Sequence, residues 1–386
     1  MREIINFPYK ALSVKKVSIA LFFVFFGFLL YSTFSYLAYF ASDLDLSRVW
    51  EIHGFFPIPP WAKTFPEFVA ERGGDVIFKT DFERFNILSK FLWFFGLYLL
   101  AFSYFCAGIG ISRLVVEERR GDPFYRFLDA LKESFKKSGL FITTTLTLLS
   151  SLLLLSLIHF IFSFTANFKP LFYPTVSILI ISFPFLVILS AMFLYMFLGF
   201  LVGIYYGPIT AVAFEGDTFD IFYEGFTVLN ERAIKALFLE FLNIIVSLAA
   251  FSAFSFIFLR AVLLTGRILT LFAPNLKFVL YPNIDLASLP QLHPTLSTLF
   301  SYIFPKEFMV FVSTPIPSPL TDIYSKTLSV WYIFALLICI AVFVSLSWTG
   351  RVFVYWELVK DKDGIDIFSI KPKSLNFEEK ADTKSD

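Results

Sequence analysis

The stretch Gly199–Lys235 decides the fold. G-F-L-V-G-I-Y-Y-G-P-I-T-A-V-A-F (199–214) closes an apolar run, and E-G-D-T-F-D-I-F-Y-E-G-F-T-V-L-N-E-R-A-I-K (215–235) is a charged connector of amphipathic character that leads into another. The same join occurs 98 positions earlier, where Glu117, Asp122, Phe124, Tyr125, Leu131 and Glu133 match Glu215, Asp220, Phe222, Tyr223, Leu229 and Glu231 without a gap. The pattern reads as an internal repeat whose unit is span, amphipathic element, span, with the two copies parallel.

Composition supports that reading. Hydrophobic residues make up 57% of the 386, and phenylalanine alone contributes 55, far more than a soluble core needs. The expected class is an all-α, polytopic transmembrane bundle of about six spans, with the lipid bilayer as its first partner. A net charge of +1 gives no reason to expect nucleic acid. Cys106 and Cys339 each fall inside an apolar run without metal-ligand or redox spacing, so neither a disulfide nor a metal is expected.

Residues 1–41 read as a basic N-terminus (Arg2, Lys10, Lys15, Lys16) followed by a first span over Val17–Phe40, too long for a signal-peptide core. Residues 42–87 form an extracytoplasmic loop, with a short helix expected around Pro66–Arg72. Residues 88–265 make up the repeated membrane core, spans two to five with connectors at 113–139 and 214–235. In the first connector Phe124, Phe127, Leu128, Leu131 and Phe135 share one helical face and Arg126, Asp129, Lys132, Glu133 and Lys136 the other, which suits a helix lying at the membrane surface or under the bundle. The run 174–213 would be roughly 60 Å long as one helix, twice a hydrocarbon core. A break at Pro184 is therefore expected, leaving an interfacial or re-entrant piece before one span. Residues 266–329 are a proline-rich extracytoplasmic segment, 330–350 the last span, and 351–386 a cytoplasmic tail. Counted this way, the inside segments carry 20 Lys plus Arg and the outside segments 10, which places both termini in the cytoplasm of a bacterial inner membrane.

The segments E-G-D-T-F-D-I-F-Y-E-G-F-T-V-L-N-E-R (215–232), S-R-L-V-V-E-E-R-R (112–120) and V-Y-W-E-L-V-K-D-K-D-G-I-D-I (354–367) carry a family resemblance. In this order, over about residues 85–365, the chain resembles an uncharacterised family of bacterial polytopic inner-membrane proteins known mainly from planctomycetes. It departs from that family at Pro123-Phe124-Tyr125 and in its phenylalanine content. The resemblance implies the architecture and carries no activity, substrate or catalytic residue.

Chemical motifs are sparse. His53, His159 and His293 are far apart, and neither a phosphate-binding loop nor a nucleophile elbow nor a zinc-protease motif occurs. The chain is therefore read as non-catalytic and without a cofactor. Three acids are candidate functional groups. Glu215 and Asp220 flank Asp217 and Thr218, either of which can cap the connector helix. Glu240 lies close to the inner end of the fifth span, where Lys235 or Arg232 can pair with it. The candidate packing residues are Gly199, Gly203 and Gly207, four apart on one helical face, and the hydroxyl stripe Thr143, Thr147 and Ser150 or Ser151. That stripe or a second protomer is the expected occupant of the glycine groove. Two roles fit: a scaffold or subunit that docks a partner membrane subunit, forms a homo-oligomer or organises the envelope, and a permease for a small or lipid-like substrate.

The charge count generates a topology test. Single cysteines near Gly121 and Gly216 are expected to resist an impermeant thiol reagent in intact cells, while one near Gly73 reacts. Labelling from outside at the second connector would overturn the parallel repeat.

Overall fold

The computed structural model describes residues 3, 6–47, 49, 69–72, 75–78, 84–168, 170, 172–273, 319–364 and 366–369. Its helices are α1 (Pro8–Ala11), α2 (Val14–Ala41), α3 (Ile87–Arg120), α4 (Phe127–Lys137), α5 (Gly139–Ala166), α6 (Phe172–Ala213), α7 (Thr218–Glu231), α8 (Ala233–Phe272) and α9 (Pro319–Asp363), with a two-stranded hairpin, β1 (Val69–Arg72) and β2 (Asp75–Phe78), between α2 and α3. Among the described residues, six helical runs are long and apolar enough to cross a membrane: Val14–Ala41, Ile87–Arg120, Phe127–Thr165, Phe172–Ala213, Ala233–Leu269 and Ile333–Asp361. Apart from that hairpin, the described residues form an all-α multi-pass membrane bundle.

Two expectations are corrected. Val69–Arg72 is a strand, its residues paired with Phe78 to Asp75 in antiparallel register, where the tail of a short helix was expected; residues 66–68 lie outside the described part. Only two residues, both glycine in the sequence, separate the strands, a spacing and composition that suit a tight hairpin. The second correction concerns 174–213, which forms one unbroken helix through both Pro184 and Pro208. A proline removes one backbone donor but need not end a helix in an apolar setting, because neighbouring turns keep the remaining bonds.

The chain divides into two compact units. One comprises Ala11–Tyr104 and Ile245–Leu346. In it α2 and the first half of α3 run antiparallel, with Phe34 edge-on to Phe95, Tyr39 edge-on to Phe85, and Ser42 Oγ donating to Ser89 Oγ at 2.7 Å. Gly27 admits Ser103 and Leu100 of α3, and Gly96 admits Phe34 of α2. Leu259 and Leu263 of α8 pack with Ala335 and Cys339 of α9, and both cysteines of the chain are buried and free.

The other unit comprises Met1–Lys10, Phe105–Ile244 and Ser347–Asp386. Its centre is the hairpin of α6 and α7. Helix α7 opens with a capping box: Asp217 Oδ1 accepts from the N–H groups of Phe219 and Asp220, and Asp217 N–H donates to Asp220 Oδ2 at 2.9 Å. Glu215, with φ of 53°, turns the chain just before it. From there α7 runs back along α6. Ile221 meets Gly203 and Gly207, Phe226 covers Gly199, and the hydroxyl of Tyr195 bonds Asn230. At the crossing, a Cβ on Gly225 would lie 2.5 Å from the Gly199 carbonyl oxygen and 2.7 Å from Gly203 N, so two backbones touch with no side chain between them. The glycine groove is thus a packing face, and its occupant is the connector helix rather than the hydroxyl stripe of α5.

That stripe is used locally. Thr147 and Ser151 bond the carbonyls one turn back, and only Thr143 reaches another element, the Thr218 hydroxyl at 2.7 Å. The two connectors also differ. The order long, short, long helix occurs twice, as α3–α4–α5 and α6–α7–α8, but residues aligned by sequence fall on different local structure. Glu117 is helical where Glu215 has positive φ, and Asp122, Phe124 and Tyr125 sit in the loop before α4 where Asp220, Phe222 and Tyr223 lie within α7.

Overpacking the crossing should separate the hairpin. Gly225→Ala and Gly203→Leu are each expected to destabilise the protein by about 1–3 kcal/mol or more, because the neighbour to be displaced is backbone. Leu201→Ala, which trims an exposed side chain, should leave the thermal midpoint in detergent nearly unchanged. Equal midpoints and elution volumes for all three variants would refute the crossing.

Candidate functional site

Four helix turns separate Gly225 from Glu240, and the intervening bend brings Glu240 of α8 back against α6. Its two carboxyl oxygens receive three donors: Tyr205 hydroxyl to Oε2 at 2.7 Å, Tyr206 hydroxyl to Oε1 at 3.0 Å, and Asn243 Nδ2 to Oε2 at 3.1 Å. The pairing expected from the sequence, with Lys235 or Arg232, does not form. Lys235 pairs with the carboxylate of Asp361 and Arg232 donates to its backbone carbonyl, so the basic pair ties α8 to the end of α9 instead.

A cation stands on the far side of the tyrosines. Arg351 of α9 is buried, and its guanidinium carbon lies 3.7 Å above the Tyr205 ring centroid and 4.5 Å from that of Trp348. Tyr205 therefore bridges the two ions, its face to Arg351 and its hydroxyl to Glu240. Tyr206 packs at 5.5 Å against Tyr355, whose hydroxyl accepts from Thr210 Oγ1 at 3.3 Å. Gly350 completes the fit, since any side chain there would collide with the Asn243 amide. The cluster clasps α6, α8 and α9 together.

A second polar cluster binds α4 to the end of α3. Arg113 bonds Glu117 at 3.2 Å and Glu133 at 3.0 Å, Arg120 bonds Glu117 at 3.0 Å, and Lys137 bonds Glu133 at 3.1 Å while donating to the Ala211 carbonyl at 2.6 Å. The Tyr125 phenol beside Arg113 is pushed up from its usual pKa, chiefly by burial. Arg119 holds Glu3 of the N-terminal segment. Burial alone would raise the Glu3 carboxyl, but Arg119 and Lys10 together keep it below the ordinary carboxylate value.

Of the three candidate acids, the structure assigns Asp220 to the cap and Glu215 to the turn, and only Glu240 enters a polar cluster. No group of three or more His, Cys, Asp or Glu able to hold a metal occurs among the described residues, and His159 bonds Ser190 Oγ at 3.1 Å. His53 and His293 lie outside the described residues. Tyr205, Tyr206 and Arg351 were not picked out from the sequence as partners of Glu240. The available signal was the pair of tyrosines one turn from Gly203, together with an arginine immediately after the last apolar run.

The clasp makes a graded prediction. Glu240→Leu leaves two hydroxyls and an amide without their acceptor and should lower stability by about 2 kcal/mol or more. Tyr206→Phe removes one donor and should cost about 0.6–1 kcal/mol. Thermal unfolding in detergent, combined in a Glu240→Gln/Tyr206→Phe cycle, should give a coupling energy; additive effects would argue against the bond.

Comparison with protein-family models, with curated proteins and with solved structures finds no match to this chain.

Proposed function

We propose that this multi-pass membrane protein is a non-catalytic scaffold or subunit that docks a partner membrane subunit. The observation that carries the reading is the inward satisfaction of its charged groups. Glu240 takes three donors from its own chain, Glu133 two cations, and Asp217 and Asp220 each other's ends of one helix. A substrate site needs polar groups with capacity left for a ligand, whereas these acids spend theirs on joining and capping helices. What α7 offers outward is aromatic: Phe219 and Tyr223 are exposed on a helix whose opposite face is locked to α6 by the glycine crossing. A rigid helix with aromatic anchors suits a docking partner. The family resemblance of the 215–232 segment, which names no activity, is consistent with such a role.

One observation favours a second reading, a permease. Glu240 and Arg351 both lie within candidate spans, and an ionisable residue at such depth is a default marker of a transport pathway.

A photo-crosslinking residue at position 219 or 223, in cells grown at native expression, separates the two. Docking predicts one discrete protein adduct that is lost in a Phe219→Ser/Tyr223→Ser variant, with the Glu240→Gln protein still forming it. Lipid adducts alone, together with loss of uptake of a substrate in Glu240→Gln at normal abundance, would replace the scaffold with the permease. The exposed aromatic at 219 is also a better sidedness reporter than Gly216, which is buried.

A further inference from the structure

Periodicity alone leaves open which face of α4 is covered. Its covered side is small and charged: Ala130 and Ser134 are buried, and Glu133 and Lys137 turn into the ion cluster at the end of α3. Its open side carries Leu128 and Phe135 together with Lys132 and Lys136, and the residues leading into it, Phe124 in the loop and Arg126 at the cap position, are exposed as well. Glu133 is drawn inward while Arg126, Lys132 and Lys136 are left out, so the exposed surface is apolar and cationic at once.

Nor does α4 lie across the bundle. A single residue, Ser138, joins it to α5 and itself has helical dihedrals (φ −59°, ψ −31°), so the two form one helical run from Phe127 to Thr165. The exposed stripe continues across the join at helical spacing, Leu128 and Phe135 leading to Ile142, Leu146, Leu149 and Leu153. Those α5 side chains have the composition of a lipid-facing stripe. Just beyond such a stripe a helix reaches the headgroup layer, where aromatic rings and long basic side chains are both favoured.

We propose that the open face of α4, with the exposed residues that lead into it, is a binding surface for anionic phospholipid headgroups, with Arg126, Lys132 and Lys136 meeting the phosphates and Phe124, Leu128 and Phe135 entering the acyl boundary. Charge complementarity and the unbroken stripe point to lipid rather than to a protein, whose docking is assigned above to α7. Each base near an anionic surface adds attraction that salt weakens, and three within one short segment give selectivity that none gives alone. The surface does not depend on which role the protein as a whole has.

The test uses the full chain in nanodiscs of phosphatidylcholine containing 20% phosphatidylglycerol, with spin-labelled forms of each lipid reporting the protein-contacting population. Phosphatidylglycerol should be enriched over phosphatidylcholine by about threefold or more at low salt, and the enrichment should fall with salt. In Arg126→Gln/Lys132→Gln/Lys136→Gln it should drop to near one, while Lys360→Gln, a change at an exposed base on α9, leaves it intact. All three substituted positions are exposed, and an unchanged thermal midpoint confirms the folded state. Failure of the triple variant to fold would move the question to Lys132→Gln alone, where a partial loss supports the surface and no loss overturns it. Absence of enrichment in the unaltered protein, or enrichment untouched by the variants, overturns the proposal.

Discussion

Backbone contact between α6 and α7 is the constraint on which this unit of the structure depends. Apolar side chains gain nothing by leaving lipid for one another, so helices in a bilayer associate through close packing and polar bonds. Gly199, Gly203 and Gly225 remove the side chains that would hold the two axes apart, and the Ile221 carbonyl then lies against Gly203. Because α7 must fold straight back along α6, the connector between them has to be short and sharply turned. Glu215 at positive φ and the Asp217–Asp220 box supply that turn within a few residues.

Placement of the polar clasp follows from this return. With α7 held along α6, α8 passes Tyr205 and Tyr206, and Glu240 meets both hydroxyls. A carboxylate with three donors and an arginine stacked on the bridging phenol form a connected network, in which losing one member exposes the others. Such a network fixes the mutual position of three long helices that apolar contacts alone would leave free to slide. The same logic operates at the end of α3, where Arg113 reads Glu117 on its own helix and Glu133 on α4.

Glycine has a different task at each crossing. At Gly108 the ring of Trp348 occupies the space a side chain would need, and at Gly350 the Asn243 amide does. These are approaches of one large or polar side chain to a bare helix surface. The α6–α7 crossing is the one in which both surfaces are bare, which is why a single methyl group is predicted to matter there.

Much of this was legible in the sequence. Composition and run length fix the membrane class and the helical spans, because a bilayer demands long apolar helices whatever they pack against. The four-residue spacing of Gly199, Gly203 and Gly207 marks a contact face, and Asp217 marks a helix start, since both are local properties of one helix. Partners were not legible. That α7 rather than α5 fills the groove, that Glu240 meets tyrosines rather than Lys235, and that α4 turns Glu133 inward all depend on how distant segments are brought together. Periodicity gives a helix two faces but does not say which is covered; only the tertiary structure decided that, because the choice lies in the ion pairs and backbone contacts made with other helices.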